Sequence, residues 1–200
     1  MKKFYLLLFI ILCLLLSSCN SQTNSSQDLP SNLTLNQAIN LAYSDALDWN
    51  KKAKLIDATS IDSDEEQTGG DGKRRYWNIT FGVPDTNDLF LVNIHDAKIN
   101  EHAEFPNEGE VRTENYFVKD LSDIKYDSPE LLEKAKEITE LYPGDVFAKG
   151  YNFGLTTDPE KNLVLIKIVG WDEERKNMKY VLFNGENGEL YDEFEREQYQ

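Results

Sequence analysis

The chain has 200 residues, of which 36 are acidic and 21 basic, giving a formal net charge of -15. This balance argues against nucleic acid as a partner, because the phosphate backbone is bound mainly by Lys and Arg. Both cysteines, Cys13 and Cys19, lie near the N-terminus. The rest of the chain therefore cannot hold a disulfide, a thiolate zinc site or a cysteine nucleophile.

The first residues have the features of an export signal. Two lysines precede an apolar segment from Phe4 to Leu16, which is too short to span a bilayer comfortably. The run Leu16-Ser17-Ser18-Cys19 resembles the lipobox of bacterial lipoproteins. The resemblance implies that residues 1–18 are removed and that Cys19 becomes the diacylated N-terminus. An ordinary secretory signal and an uncleaved anchor are the alternatives.

Removal of residues 1–18 leaves 19 basic and 36 acidic residues, a formal charge of -17. This charge repels anionic lipid headgroups, so we expect the acyl chains on Cys19, rather than a basic patch, to hold the protein at the membrane. The expected location is the extracytoplasmic face of the cell membrane. Residues 19–33 are mostly polar and are predicted to form a flexible tether.

Residues 34–100 form the first of two similar units. Thr34 and Gln37 fit a capping box, and apolar side chains follow at helical spacing as far as Trp49. Three predicted strands come next, and a turn from His95 to Lys98 closes the unit. The strands are expected at residues 53–60, 75–83 and 89–94.

Residues 128–193 form the second unit, in which Ser128 is the predicted cap before Pro129. Its strands are expected at residues 146–155, 163–169 and 178–183. Residues 101–127 are a connector that includes a candidate edge strand from Glu114 to Val118, and residues 194–200 are a tail. The sequence thus predicts an α+β fold made of two tandem helix-plus-antiparallel-sheet units.

The order of these elements resembles the PepSY domain. The residues that carry the resemblance are the helix alanines Ala38, Ala42 and Ala46, the strand run Trp77-Asn78-Ile79, and the segment from Val92 to Ile99. Ala97 replaces the glycine usual in the final turn, and the second unit follows the pattern less closely. The resemblance implies a non-catalytic, extracytoplasmic module with an inhibitory or partner-binding role, and it provides no catalytic residue.

Few residues offer chemistry. His95 and His102 are the two histidines, and their positions at a strand end and in a polar connector favour solvent exposure over metal ligation. No nucleophile motif, metal motif or cofactor site is recognised. A pair of carboxylates could still support glycoside chemistry, but with 36 acids any fold provides close pairs by accident.

An acidic segment could bind calcium through Asp62, Asp64, Glu66 and Asp71, although its spacing does not fit the EF-hand loop. A solvated hairpin insertion is the favoured interpretation. Trp49 and Trp77 fall on predicted buried stripes. Trp171, at a strand end beside charged residues, is the best candidate for an exposed contact with a partner.

Two functions remain open. The first is a lipid-anchored, non-catalytic module of the cell envelope that binds a protein or inhibits a peptidase, through a sheet edge or the groove between the units. The second is a solute- or cation-binding envelope lipoprotein, or a carboxylate-based hydrolase. A deep cleft with two converging acids of raised pKa would favour the hydrolase.

Overall fold

The computed structural model describes residues 31–62, 68–106 and 110–197. The signal segment and Cys19 lie outside the described residues. Within these ranges, no helix has both the length and the apolar character needed to cross a membrane. The helices and strands are α1 Leu35–Trp49, β1 Lys54–Ile61, β2 Tyr76–Gly82, β3 Leu89–His95, β4 Lys98–Phe105, α2 Ser128–Ile138, β5 Asn152–Asp158, β6 Leu163–Trp171, β7 Asn177–Asn184 and β8 Leu190–Glu197.

All eight strands form one antiparallel sheet in the order β4-β3-β2-β1-β5-β6-β7-β8. The α+β class is confirmed, but the two units share a single continuous sheet. They join where β1 pairs with β5, through Ala58 with Leu155 and Thr59 with Gly154. Because β1 and β5 hold the same place in their units and run antiparallel, an approximate twofold axis passes through this seam.

Both helices lie on one face of the sheet, and the core lies between. Along β2 the alternate residues Trp77, Ile79 and Phe81 are fully buried on this face, as the two-residue period of a strand requires. The first helix faces them with buried alanines, whose small side chains allow a close approach. Trp77 is therefore a core residue as predicted, and Trp49 is half-buried and stacks on Phe90 with ring centroids 5.0 Å apart.

The predicted capping box of α1 is present: the N–H of Gln37 donates to Thr34 Oγ1 at 3.3 Å, and the N–H of Thr34 donates to Gln37 Oε1 at 3.0 Å. The predicted cap of α2 is wrong by one residue, because Asp127 caps that helix. The hydroxyl of Ser128 is engaged elsewhere. It donates to the carbonyl of Gly72 at 2.6 Å and accepts from the N–H of Leu35 at 3.0 Å.

Each unit has a fourth strand that the sequence analysis did not predict. β4 includes residues 101–105 of the expected connector, and β8 includes residues 194–197 of the expected tail. The turn between β3 and β4 has Asp96 and Ala97 at φ angles of 50° and 58°. Two successive left-handed residues form a tight hairpin turn, so the chain returns alongside β3.

Two predicted strands differ in the structure. Glu114 to Val118 contains a short 3₁₀ turn, Glu114–Tyr116, in place of an edge strand. Residues 146–151 do not belong to β5, which begins at Asn152. The reason is a closed loop: Gly144 and Gly150 exchange two backbone hydrogen bonds of 2.8 Å, which excludes the residues between them from the sheet.

Candidate functional site

The strands β1 and β5 separate on both sides of their two-pair seam, and other parts of the chain fill the gaps. We give names to the two ends of the seam between β1 and β5. The tether end is where β1 finishes at Ile61 and β5 begins at Asn152; here Leu33, which follows the predicted tether, pairs with Arg74. The distal end is that of Lys54 and Asp158. At about 3.3 Å per residue, the length of β1 separates the two ends by roughly 23 Å.

Arg74 fills the gap at the tether end. Its side chain is 1% exposed, and its guanidinium donates to the carbonyls of Lys149 at 2.9 Å, Tyr151 at 3.3 Å and Ile61 at 2.9 Å. It also donates to Asp62 Oδ1 at 3.1 Å. Burial lowers the pKa of Arg74, and the neighbouring Asp62 opposes this. A guanidinium stays charged in proteins, so Arg74 joins the two units as a cation.

Residues 113–118 fill the gap at the distal end. The N–H of Val118 donates to the carbonyl of Leu55 at 2.9 Å, on the β1 side. On the β5 side, Thr157 Oγ1 donates to the carbonyl of Tyr116 at 3.0 Å. The groove that the sequence analysis expected between the units is therefore occupied by the chain itself at this point.

A cleft of about 260 Å³ opens beside this segment and carries four lysines. We call it the lysine cleft. Lys54 Nζ lies 2.6 Å from Glu114 and Lys51 Nζ lies 3.3 Å from Asp48. Lys52 and Lys119, the other two lysines of the cleft, form no ion pair with a described residue. The lining residues are Tyr43, Lys51, Lys52, Ala53, Lys54, Leu55, Val118, Lys119, Asp120 and Leu121.

Local structure explains how these lysines converge. Lys51 and Lys52 follow the C-terminus of α1, where cations are favoured by the helix dipole, and the tight turn from Asn50 to Ala53 directs the chain into β1. The hydrogen bond from Val118 to β1 places Lys119 beside them. The site is not evident from the sequence, because Lys119 is far from the other three lysines in the chain. The run Lys51-Lys52-Ala53-Lys54 was the available signal.

The cleft contains one described carboxylate, Asp120. Its pKa is lowered because it accepts hydrogen bonds from Ser122, so it is ionised at neutral pH. With Glu114 paired to Lys54, positive charge exceeds negative charge in the cleft. The cleft is thus a positively charged site on a strongly acidic protein, and it suits an anionic group on a ligand or partner.

The face of the sheet without helices carries a half-buried Asp57. Burial raises the pKa of Asp57, whereas a hydrogen bond from Thr80 at 3.3 Å and the nearby charge of Lys167 lower it. Of the carboxyls in the described ranges, this is the one with a raised pKa. The converging pair that would favour a hydrolase is thus not found among them.

Trp171 does not lie where the sequence analysis expected it. Its side chain is 2% exposed, so a direct contact with a partner is excluded in this conformation. The backbone of Tyr142 pairs with Trp171 and extends the sheet, and the loop that begins at Gly144 covers the indole. A Cβ atom on Gly144 would lie only 2.5 Å from Trp171 Nε1.

Two of the four candidate calcium ligands, Asp62 and Asp71, are described, and both accept hydrogen bonds from the protein itself. Asp62 binds Arg74 through Oδ1 and accepts from the N–H of Lys149 through Oδ2 at 3.1 Å. Asp71 Oδ1 accepts from the N–H of Lys73 at 3.1 Å. Asp64 and Glu66 lie outside the described residues, and the described part of the chain holds no group of three or more potential metal ligands.

Both histidines are exposed, as predicted. The ring of His95 contacts Tyr76 edge-on, with centroids 4.6 Å apart. His102 lies on the helix side of β4, with Nδ1 3.8 Å from Asp45 Oδ2. The two imidazoles therefore contact different neighbours.

No known protein family matches the sequence, and no curated protein is similar to it. The fold is similar to the crystal structure of "a putative lipoprotein (CD1622) from Clostridium difficile 630". The TM-score is 0.58 at 15% sequence identity, over 78% of this chain and 90% of the other. At this identity the similarity concerns the fold.

Proposed function

We propose that this protein is a lipid-anchored, non-catalytic binding protein on the extracytoplasmic face of the cell membrane, and that it holds an acidic segment of an envelope protein in the lysine cleft. The observation that carries the binding role is the convergence of four of the chain's 21 basic residues on one cleft. The lipobox-like run ending at Cys19 supports the anchor, and the fold shared with a putative lipoprotein agrees with it.

The proposal includes the tandem PepSY-like character of the chain. Each unit begins with a capped helix and continues with an antiparallel meander, which is the order that suggested the resemblance. An inhibitory or partner-binding role is what that resemblance implies. The lysine cleft provides a surface on which such a role can act.

Charge defines the partner. The acidic body of the protein repels acidic molecules at long range, but at 0.1 M ionic strength charges are screened beyond about 10 Å. A segment that reaches the cleft is therefore governed mainly by the lysines that line it. Because Lys52 and Lys119 have no described ion-pair partner, they can bind a carboxylate without first breaking a salt bridge.

A peptide titration tests the cleft. The probe is a fluorescein-labelled glutamate-rich peptide, added to the full lipoprotein in detergent micelles. We expect Lys52→Glu combined with Lys119→Glu to weaken binding at least tenfold. Equal affinity of the wild type and this double variant would contradict the proposal. The matched control is Lys73→Glu combined with Lys98→Glu, which changes the net charge equally outside the cleft.

A second experiment tests the protein partner. A photo-crosslinking amino acid at position 121, beside the lysines, is activated in intact envelopes. We expect a protein that is captured by the wild type and the control variant but lost with the double charge reversal. If the double charge reversal captures the same protein equally well, that protein does not bind through the lysines of the cleft, and the proposal is contradicted.

A solute-binding role is the second candidate, and the size of the cleft favours it specifically. A volume of about 260 Å³ is near the lower limit of small-molecule sites. Inorganic phosphate and a small dicarboxylate, added as competitors in the peptide titration, distinguish the two roles. If phosphate or the dicarboxylate displaces the peptide at micromolar concentration, the solute-binding role is favoured. If neither does, binding of a protein segment is favoured. A cation-binding role and a carboxylate-based hydrolase have no comparable support in the described residues.

A further inference from the structure

The loop between Gly144 and Gly150 exposes two adjacent large apolar side chains. Val146 is 81% exposed and Phe147 is 54% exposed. Single exposed apolar residues are common, but two at the tip of one loop form a small apolar projection. Their exposure shows that both side chains face solvent rather than the packed body of the protein.

The loop is fixed at its base. Gly144 and Gly150 exchange two hydrogen bonds of 2.8 Å, and Arg175 Nε donates to the carbonyl of Pro143 at 3.0 Å. Gly150 has a φ of +70° and touches the backbone of Thr68, where a Cβ atom would lie 1.8 Å from the carbonyl oxygen. The projection is therefore held in one place relative to the sheet.

That place is beside the entry of the chain into the fold. Arg74 pairs through its backbone with Leu33 and donates through its side chain to the carbonyl of Lys149, at the end of the loop. The loop, Leu33 and the tether end of the sheet are thus neighbours. From Cys19 to Ser31 the chain spans at most about 42 Å when fully extended, so the tether end lies within that distance of the residue that is proposed to carry the acyl chains.

We propose that Val146 and Phe147 insert into the lipid headgroup region of the membrane that holds the acyl chains of Cys19. This inference rests on the proposed lipid anchoring. Insertion removes two apolar side chains from water, and because the tether already confines the protein to the surface, little further translational freedom is lost. With a second point of attachment, the tether end faces the lipid and the lysine cleft faces away from it.

A site-specific fluorophore tests the proposal in the lipidated protein reconstituted into phosphatidylcholine vesicles with a minor fraction of phosphatidylglycerol. The mature chain is expected to have no free thiol, so Val146→Cys provides a unique site for an NBD label. We expect a blue-shifted emission and quenching by lipids with a doxyl group on the acyl chain. The control is Val111→Cys, which is 66% exposed and lies beside the hairpin loop at the distal end; its label should stay in water.

Flotation of the same vesicles distinguishes failure of the lipid anchor from failure of the loop insertion. Protein that floats with the vesicles but whose label at position 146 remains unquenched would overturn the insertion and leave the anchor intact. Protein that fails to float, with a mass that includes residues 1–18, would overturn the anchor and the insertion together. A label that is protected only in native envelopes, and not on protein-free vesicles, would overturn insertion in favour of a protein partner at this loop.

Discussion

Asp127 joins the starts of the two helices: its Oδ1 accepts a hydrogen bond of 3.0 Å from the backbone N–H of Asn36, in the first turn of α1. The same oxygen accepts from the N–H of Ser128 in α2 at 2.8 Å. Helix N-termini carry partial positive charge, so their approach is unfavourable unless an anion lies between them. The carboxylate of Asp127 has this position.

We expect Asp127→Ala to lower the free energy of unfolding by about 2 kcal/mol, at the upper end of the range for an N-cap, because two helices lose an acceptor. Asp127→Asn keeps a side-chain acceptor, so its free energy of unfolding should fall by less. Urea denaturation measures the difference. Asp120→Ala, which removes the cap of an exposed 3₁₀ turn, is the control, and an equal loss in both alanine variants would contradict a shared cap.

Arg74 should be among the residues most sensitive to substitution. Arg74→Met leaves three carbonyl oxygens and Asp62 without their donor. Removing one partner of a buried ion pair costs about 3–5 kcal/mol, and the lower value is expected because Asp62 is 33% exposed. Arg74→Lys should recover only part of this stability, because one ammonium group cannot replace the several donors of the planar guanidinium. Lys73→Met is the control in urea denaturation and should have little effect.

Asp57 should make stability depend on pH. Well below its ordinary pKa of 3.8, the carboxyl is protonated in the folded and the unfolded chain. As the pH rises, the unfolded chain ionises first, because burial raises the pKa of Asp57 in the folded state. The folded state therefore loses stability until the pH passes the raised pKa, and the loss persists at neutral pH.

Asp57→Asn removes this loss. We expect the variant to be more stable than the wild type at pH 7 and equal to it well below pH 3.8. Urea denaturation over this pH range measures the difference. Asp192→Asn changes an exposed acid on the same face of the sheet and should not reproduce the pH dependence. A variant less stable at pH 7 would mean that the ionised form of Asp57 is favourable.

Gly144 should tolerate no side chain. A Cβ atom there would lie 2.3 Å from the carbonyl of Ala148 and 2.5 Å from Trp171 Nε1. Gly144→Ala should therefore displace the loop over Trp171 and cost about 1–3 kcal/mol, as overpacking does. Gly70→Ala is the matched control, because a Cβ atom at Gly70 meets nothing within 4 Å. Thermal unfolding and tryptophan emission compare the two variants.

The sequence predicted the central strands better than the edge strands, for a physical reason. Buried strands such as β2 alternate apolar and polar residues, and this alternation is visible in the sequence. The edge strands β4 and β8 have mostly exposed residues, among them Glu101, Glu104 and Glu195. Charged edges prevent unwanted pairing with other chains, but they also remove the alternation that would predict a strand.

The site depends on contacts that no local pattern contains. The position of Lys119 follows from the backbone hydrogen bond between Val118 and Leu55, which joins distant parts of the chain. Trp171 has the sequence surroundings of an exposed residue, but pairing with Tyr142 and the loop at Gly144 bury it. The run Lys51-Lys52-Ala53-Lys54 is visible in the sequence, but its convergence with Lys119 requires the fold.

The pairing of β1 with β5 has the geometry of a contact between two subunits. Two identical copies of a helix with four strands, joined antiparallel through their first strands, would make an isologous dimer in which each copy presents the same edge to the other. The present chain has that arrangement within one polypeptide. The two ends of the seam are nevertheless different: Arg74 fills the tether end and residues 113–118 fill the distal end, so one contact between two strands presents two different chemical environments.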